Sequence, residues 1–457
     1  MSTARLETLS LPDFGLPSAM PQLPPELHAA RLARLRERMA DAGYDRLVVY
    51  ADREHSANLS WLSGFDPRFE EAVLILAVDG EPLLLSGNEC VGMAQAAPLP
   101  MRVQLWQSLS LPGQPRDRSR PLDRIMAAEG IEAGTRVGVI GWKPYADPSW
   151  LDVPSFLADA LRQAVGPGGT VENAVGLLID PMDGLRTTNE VEQLAAFEYA
   201  ACHTSEGVKR LLFGLRPGMT EQQAVTLLRW TGAPLSCHLM LSSGPRASLG
   251  LLSPTDRVIE RGDRFTTAFG IWGALDCRAG FVVADAAELP EAIRDYVDVL
   301  VGPYFSAIAE WLEALHVGQR GGALQAIIDR HLGDPFFGIF LNPGHLIGLD
   351  EWIHSPVARG ATVELRSGMA MQVDVIPATG TDYFTTNIEG GLALADAGLR
   401  RALAERYPGA WARMGARRTF MREALGIELH PDVLPFSNLP AYLAPFLLAP
   451  ERAMVVA

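Results

Sequence analysis

Apolar residues recur at helical or alternating spacing along most of the chain, and these two periods predict its elements. Early in the chain, ELHAARLARLRERMADAGY places apolar residues on one helical face, with Gly43 as the expected stop. The run DRLVVY is typical of a buried strand, and EAVLILAV and EPLLLS flank the turn residues Asp79 and Gly80 as in a hairpin. A further strand, RVGVIGW, and a further helix, PSFLADALRQAV, complete the pattern of a compact α/β domain.

The pattern changes near residue 185, where we place a domain boundary. A long amphipathic helix is expected next, with Thr188 or Asn189 as its N-cap, and Thr220 with Gln223 predicts a capping box for the helix after it. Beyond them, strand-like runs such as DRFTTAFGIWGALDCRAGFVV and GMAMQVDVIPATG surround one helical block, YVDVLVGPYFSAIAEWLEAL. Helices outside an antiparallel sheet, an α+β arrangement, satisfy this order.

The first 25 or so residues are rich in proline and show neither period, which favours an extended arm. The predicted organisation is therefore an arm at 1–25, an α/β domain at 26–185 and an α+β domain at 186–457.

Composition narrows the class of protein. The chain has 457 residues and a net charge of −15, which argues against a nucleic-acid partner because such binding needs a concentrated basic face. The four cysteines form no CxxC pair, and the start of the chain lacks a basic region followed by an apolar block. The longest aliphatic runs are strand-sized and too short to span a membrane. A reduced, cytoplasmic protein is the expectation.

Candidate chemistry lies in the second half, where four polar side chains stand in strand-like, apolar surroundings: Asp276, His345, Asp374 and Glu389. Burying three carboxylates is costly unless a cation or specific donors compensate. Three oxygen ligands and one imidazole suit Mn²⁺, Fe²⁺, Co²⁺ or Zn²⁺, whereas the absence of thiolate argues against a structural zinc site.

A second histidine follows in the segment NPGHLIGLDEWIHSP, which contains His345 and His354. Gly344 and Gly348 flank His345 and would let its ring approach a neighbouring backbone, which suits a ligand or a base. The nine-residue gap between the histidines is too long for one helical face, and neither HExxH nor HxxEH is present. By spacing alone, His345 could equally be a hydrogen-bonded core histidine.

Taken in order, the motifs GALDCRAG, PGHLIGLDEWIHSP, GMAMQVDVIP and NIEGGLAL resemble those of the pita-bread metallopeptidases. That family includes aminopeptidase P, prolidase and methionine aminopeptidase, with creatinase as a metal-free relative. The similarity covers nearly the whole chain, because the first domain with LSWLSGF resembles the N-terminal domain of the proline-specific members and of creatinase. The resemblance implies a creatinase-type α/β N-terminal domain, a pita-bread α+β C-terminal domain and a homodimer.

The resemblance also implies a ligand set of two aspartates, one histidine and two glutamates. Asp276 matches the second aspartate, His345 the histidine and Glu389 the last glutamate, and Asp374 stands where the first glutamate is expected. These four positions imply a site for a single divalent metal ion.

Other positions depart from the family pattern. The first aspartate falls at Thr266 or Thr267, the histidine after the SGP loop falls near Leu251, and Asn387 replaces the arginine that commonly precedes the last glutamate. Aligning His354 with the family's second histidine requires a two-residue insertion around DEW. The resemblance therefore implies at most one metal ion, with no metal as the alternative.

The activity implied is hydrolysis of a C–N bond in a small peptide or amide, with Glu389 moving a proton and His354 stabilising the oxyanion. Two alternatives stay open. One is a creatinase-like or lyase-like enzyme for a small nitrogen-containing metabolite, and the other is an inactive scaffold that binds a ligand or partner.

Overall fold

The computed structural model describes residues 4–457, which form two compact bodies. The first, called the α/β body, is Leu23–Thr187. The second, called the α+β body, combines the residues up to Gln22 with Thr188–Ala457. Each is described by itself.

The helices and strands are numbered in chain order. The helices are α1 (Pro25–Asp41), α2 (Ala57–Ser63), α3 (Leu122–Ala128), α4 (Ser155–Val165), α5 (Gly176–Ile179), α6 (Val191–Gly214), α7 (Glu221–Val225), α8 (Gly302–Ala314), α9 (Gly321–Leu332), α10 (Ala397–Arg406) and α11 (Pro408–Phe420). The strands are β1 (Ala4–Thr8), β2 (Arg46–Ala51), β3 (Ala72–Ala77), β4 (Leu83–Ser86), β5 (Arg102–Leu105), β6 (Arg136–Ile140), β7 (Thr170–Asn173), β8 (Met240–Ser243), β9 (Arg264–Phe269), β10 (Asp276–Phe281), β11 (His345–Leu346), β12 (Ala370–Gln372), β13 (Asn387–Glu389), β14 (Gly391–Leu394), β15 (Val433–Pro435) and β16 (Arg452–Val456). Within the described residues, no helix combines the length and apolar character that a membrane crossing requires.

The α/β body is built on a six-stranded sheet in the order β5-β4-β3-β2-β6-β7. The expected hairpin is confirmed, because β3 and β4 pair antiparallel from Ala72 opposite Ser86 to Ile75 opposite Leu83. The expected helix stop is confirmed as well: α1 ends at Asp41, and Gly43 takes a φ of 73°. Such a φ is readily adopted only by glycine, which is why the chain can turn into β2 here.

The α+β body contains two four-stranded antiparallel sheets, in the orders β13-β10-β9-β8 and β11-β12-β14-β15. Helices α6 and α8 carry long runs of buried residues. The α/β plus α+β class predicted from the residue patterns is thus the class observed.

Helix starts in the α+β body follow the local rules only in part. The capping box is confirmed, since the Thr220 side chain accepts from the Gln223 N–H and the Gln223 side chain accepts from the Thr220 N–H. The cap expected for the long helix is wrong. Helix α6 begins after Glu190 without a side-chain cap, and Asn189 Nδ2 donates instead to the Gly368 carbonyl at 3.0 Å.

The N-terminal segment differs from the expected arm. Strand β1 pairs antiparallel with β16, with Ala4 opposite Val456. The proline-containing stretch that follows lies along α6, where His203 Nε2 donates to the Pro17 carbonyl at 2.9 Å. The partner of β1 is at the other end of the chain, so the local pattern of apolar residues cannot predict this pairing.

Candidate active site

The floor of the candidate site is one face of the sheet β13-β10-β9-β8. Cys277 on β10 lies opposite Glu389 on β13 and opposite Ala268 on β9, and Ala268 in turn lies opposite Met240 on β8. Side chains two residues apart on a strand share a face, so Thr266 belongs to the same surface as Ala268. All five residues line a cavity of about 740 Å³.

His345 enters this site from the second sheet. It opens β11, which pairs with β12 so that His345 lies opposite Gln372. The preceding Gly344 has a φ of 151°, and a Cβ there would lie 2.9 Å from the Trp311 ring. The indole of Trp352 stacks on the imidazole, with centroids 4.2 Å apart and planes 14° apart. The turn at Gly344 and the Trp352 indole therefore position the imidazole.

The imidazole meets two carboxylates. His345 Nε2 lies 3.1 Å from Glu351 Oε1 and 3.3 Å from Glu389 Oε1, and one ligand atom of each residue lies within 4.8 Å of the other two. We call these three residues the trio. His345 and Glu389 are buried, whereas the Glu351 side chain keeps 23% of its surface exposed.

Burial and the neighbouring carboxylates shift the pKa of His345 in opposite directions. Burial acts to lower the pKa of His345, but the adjacent Glu351 and Glu389 carboxylates outweigh it and hold that pKa well above its usual value. A buried imidazole thus sits in a strongly negative environment.

Asp374 adds a third carboxylate at the cavity wall. Its side chain is 6% exposed, and its Oδ1 has no hydrogen-bond partner among the described residues. Burial and then the Glu389 carboxylate raise the pKa of Asp374 well above its usual value, while His345 acts to lower it. Buried oxygens without a partner are rare and call for an explanation, such as an ion.

This donor set fits a divalent metal ion. Three carboxylates against at most one imidazolium leave an excess of negative charge in a desolvated place, which a cation would neutralise. An imidazole nitrogen and carboxylate oxygens are donors that Mn²⁺, Fe²⁺, Co²⁺ and Zn²⁺ accept. His345, Glu351 and Glu389 would hold the ion, with the Asp374 Oδ1 nearby.

Asp276, expected from the sequence to be a ligand, lies away from the trio because side chains alternate along the strand. Cys277 is the cross-strand partner of Glu389, and the two side chains lie on the same face of the sheet. Asp276, one residue earlier, therefore points to the other face of β10. There its Oδ1 lies 2.8 Å from Arg278 Nη1, and its Oδ2 accepts from Ser437 Oγ at 2.9 Å. Burial raises the pKa of Asp276 to about 7, although Arg278 acts to lower it. The Arg278 guanidinium is thus the cation nearest to this carboxylate, although Asp276 Oδ1 accepts no hydrogen bond from the described residues.

The oxyanion role expected for His354 is likewise not supported by its position. His354 pairs with Leu346 in a β-bridge, its Nδ1 lies 3.3 Å from the Ser355 carbonyl oxygen, and it does not line the cavity. Leu346, its partner in the bridge, is the residue after His345. Because successive side chains on a strand point to opposite faces, His354 stabilises the backbone of β11 and does not face the trio.

Four positions that depart from the family pattern line the cavity: Thr266, Thr267, Leu251 and Asn387. Thr266 and Thr267 are there, and Thr267 Oγ1 donates to the Met240 carbonyl at 3.2 Å. Leu251 is exposed at the cavity wall, and its carbonyl accepts from His238 Nε2 at 2.8 Å. His238 therefore lines the cavity that lacks the histidine expected at Leu251.

Asn387 also lines the cavity. It is buried, and its Oδ1 has no hydrogen-bond partner among the described residues. The amide thus offers polar atoms in place of the expected guanidinium, but no positive charge.

Sequence reasoning missed Glu351 and Cys277. Glu351 was counted only as part of an insertion, although an acid beside Trp352 between two histidines in an apolar segment was a usable signal. Cys277 could not be placed in the site from the sequence, because a shift of one residue in the strand register moves a side chain to the other face of the sheet. Burial and then Glu389 raise the pKa of its thiol well above the usual range.

Comparison with known proteins agrees with this architecture. Residues 31–175 match the family described as Creatinase/Prolidase N-terminal domain. The curated relative "Uncharacterized peptidase YqhT" of Bacillus subtilis (strain 168) is 23% identical over 211 residues, 44% of this chain and 59% of that protein. The match thus spans about six tenths of the curated relative's length.

Solved structures match over most of both chains. An Xaa-Pro dipeptidase from Bacillus anthracis has a TM-score of 0.60 at 17% identity, with 81% of this chain and 96% of that chain covered. The prolidase from Pyrococcus horikoshii OT3 gives 0.62 at 15% identity, covering 80% and 95%. An X-Pro aminopeptidase from Thermotoga maritima MSB8 gives 0.61 at 17% identity, covering 80% and 95%. At these identities the likeness establishes the fold: a creatinase-type α/β domain with a pita-bread α+β domain.

Proposed function

We propose that this chain, which has the fold of the prolidase and X-Pro aminopeptidase structures, is a metal-dependent hydrolase of a C–N bond in a small peptide or amide. The observation that supports it best is the trio His345, Glu351 and Glu389 beside the unpartnered Asp374 Oδ1, at the wall of a cavity of about 740 Å³. A cavity of this size accommodates a ligand of a few residues.

The residues divide the work by position. A divalent cation at such a centre acts as a Lewis acid and lowers the pKa of water. Trp352 covers one face of the His345 ring and keeps water from it. Glu351 is the most exposed member of the trio and can exchange protons with solvent at its carboxylate. Glu389, which the sequence resemblance gives the proton transfer, is buried beside His345 and is better placed as a ligand.

The site favours one ion over two. Thr266, Ala268 and Cys277 occupy the floor beside Glu389, so no further carboxylate from β9 or β10 faces the trio. A second ion would lack anionic ligands of its own. The prediction of at most one metal ion per chain is kept, with Glu351 replacing Asp276 in the ligand set.

A metal-free, creatinase-like enzyme is the second candidate. The observation in its favour is that His345 Nε2 lies 3.1 Å from Glu351 and 3.3 Å from Glu389, because an imidazolium there would neutralise part of the carboxylate charge. The net charge of the cluster argues against this metal-free candidate. One imidazolium beside Glu351, Glu389 and Asp374 leaves the cluster negative, and a divalent ion neutralises it better.

Metal analysis with activity tests the proposal. Full-length protein purified without chelator is expected to carry or bind one equivalent of Mn²⁺, Co²⁺ or Zn²⁺, measured by elemental analysis and titration calorimetry. His345→Ala and Glu389→Gln should weaken binding at least about tenfold. The matched control is Glu364→Gln, whose side chain is 64% exposed and pairs with Arg320.

Hydrolysis is measured on alanyl-proline and on simple dipeptide amides, with and without metal. Because a cationic group is absent at Asn387, we expect kcat/KM on alanyl-proline below about 10⁵ M⁻¹ s⁻¹, in the lower part of the enzyme range. Chelator-resistant turnover without bound metal would support the creatinase-like candidate. Two tightly bound equivalents would contradict the single-ion site, and binding without any turnover would favour a ligand-binding scaffold.

A further inference from the structure

The cavity is electrostatically two-ended. Its acidic residues, Glu351, Asp374 and Glu389, gather at the trio's end. Among the described residues that line the cavity, Arg264 is the only arginine or lysine. It starts β9 and shares the cavity face with Thr266 and Ala268.

The strand register separates the two ends by a usable length. Arg264 lies opposite Phe281 on β10, and Glu389 lies opposite Cys277 on the same strand. Four residues at about 3.4 Å per residue place these two rows roughly 14 Å apart. The arginine side chain can shorten this distance, so a peptide of about two to four residues spans it.

The Arg264 guanidinium already pairs with one carboxylate, that of Asp382, which does not itself line the cavity. Arg264 Nη2 donates to Asp382 Oδ1 at 2.9 Å, and Arg264 Nη1 donates to Ser248 Oγ at 3.3 Å. The Asp382 side chain is 81% exposed. An exposed ion pair contributes little free energy, so another carboxylate can replace this one at low cost.

A strained residue supports Arg264 from the side. Phe384 has a φ of 63°, is buried, and lies with its ring centre 5.7 Å from the Arg264 Cζ. A bulky residue with positive φ is uncommon, and such strain clusters at ligand sites because the surrounding fold must hold it. Here the strain keeps an aromatic face beside the guanidinium.

We propose that Arg264 anchors a carboxylate of the ligand at the end of the cavity opposite the trio, so that the substrate is a short peptide or amide acid rather than its neutral amide. This inference rests on the proposed function only in calling the ligand a substrate; the binding of a carboxylate by Arg264 does not depend on hydrolysis. The single guanidinium matches a carboxylate, which it can bind through two parallel N–H donors. A dianionic phosphate would meet only one cation in a cavity that is otherwise acidic.

The test separates binding from turnover. Binding is measured by titration calorimetry on the full-length, metal-loaded protein with a non-cleavable probe, alanyl-proline in which CH₂–N replaces the scissile CO–N group, and with its C-terminal carboxamide. The free acid is expected to bind about tenfold or more tightly than the carboxamide. Arg264→Gln should remove this preference, and Arg264→Lys should keep part of it.

Two further variants keep the test sharp. Asp382→Asn removes the competing carboxylate and should tighten acid binding by roughly threefold without changing carboxamide binding. Arg261→Gln is the matched control, because this exposed arginine pairs with Glu288 and does not line the cavity. It should leave the preference intact.

Steady-state kinetics on alanyl-proline and its carboxamide then tell the two proposals apart. Turnover with no preference for the acid, or an equal loss for both probes in Arg264→Gln, overturns the carboxylate anchor and leaves the hydrolase proposal standing. An Arg264-dependent preference in binding without hydrolysis of either peptide supports the anchor and counts against the hydrolase.

Discussion

At the scale of single residues, two buried aspartates differ in role because their neighbouring side chains differ. Asp276 is paired with Arg278 and accepts a hydrogen bond from Ser437, which offset part of its burial, although burial still raises its pKa to about 7. Asp374 has an oxygen without a partner and lies near the like charge of Glu389. In sequence both appear as acids in apolar strands, and only the first has its partner two residues away.

This contrast predicts opposite effects of the same substitution. Asp276→Asn should destabilise the protein by about 1–3 kcal/mol, because the loss of the counter-charge of the buried Arg278 is partly offset by removing a carboxylate whose pKa burial raises to about 7, while one equivalent of metal still binds. Asp374→Asn should leave stability without metal unchanged or higher and weaken metal binding at least about tenfold. Urea unfolding with chelator present and titration calorimetry measure the two quantities.

The exposed Asp298→Asn, expected within about 0.5 kcal/mol of the parent, controls for the chemistry of the change. Loss of metal binding in Asp276→Asn with stability retained would show that the faces of β10 are assigned wrongly.

The same contrast shows how far the sequence reached into the site. His345, Asp374 and Glu389 were predicted by type and surroundings, and the structure brings them together. Glu351 could not be placed, because a loop decides its position, and Asp276 was one residue from the correct face. A period of two makes every strand residue ambiguous until a partner strand fixes the register.

At the scale of elements, local signals predicted what local forces determine. The β3–β4 hairpin and the Thr220 capping box were readable because their partners lie within a few residues. The pairing of β1 with β16 was not, because it joins the two ends of the chain. The cap of α6 failed for a related reason: Asn189 uses its amide on a distant carbonyl.

The short strand β11 depends on one glycine, which gives a test at this scale. Gly344→Ala should cost about 2 kcal/mol, because its φ of 151° disfavours a side chain and its Cβ would meet Trp311 at 2.9 Å and the Gln372 carbonyl oxygen at 3.2 Å. The displaced His345 should also bind metal more weakly. Thermal unfolding and calorimetric titration provide both measurements.

Gly415→Ala is the matched control within α11, where a Cβ meets nothing within 4 Å. It should stabilise the protein by roughly 0.5–1 kcal/mol, because alanine loses less conformational entropy in a helix. Equal effects at the two glycines would contradict a special role for Gly344.

At the scale of the whole molecule, two bodies with separate cores carry different tasks. The α/β body has its own buried cluster, including Val48, Val139 and Leu161, around its six-stranded sheet. The trio and the cavity belong to the α+β body alone. The homodimer that the sequence resemblance implies stays a prediction, because only one chain is described.

This division leads to the last prediction, which concerns where metal acts on stability. Residues 23–187 expressed alone should unfold cooperatively in urea, since about 165 residues can bury a sufficient core, and metal should leave their unfolding unchanged. In the full chain, metal at 100 times its dissociation constant should add about 2.7 kcal/mol to the unfolding of the α+β body, because binding stabilises only the state that holds the ion. Scanning calorimetry of the full chain measures the second quantity, and in His345→Ala the metal-dependent stabilisation should be smaller by at least about 1.3 kcal/mol at the same metal concentration. A metal-dependent shift in the isolated fragment, or an equal shift in His345→Ala, would place the ion outside the trio.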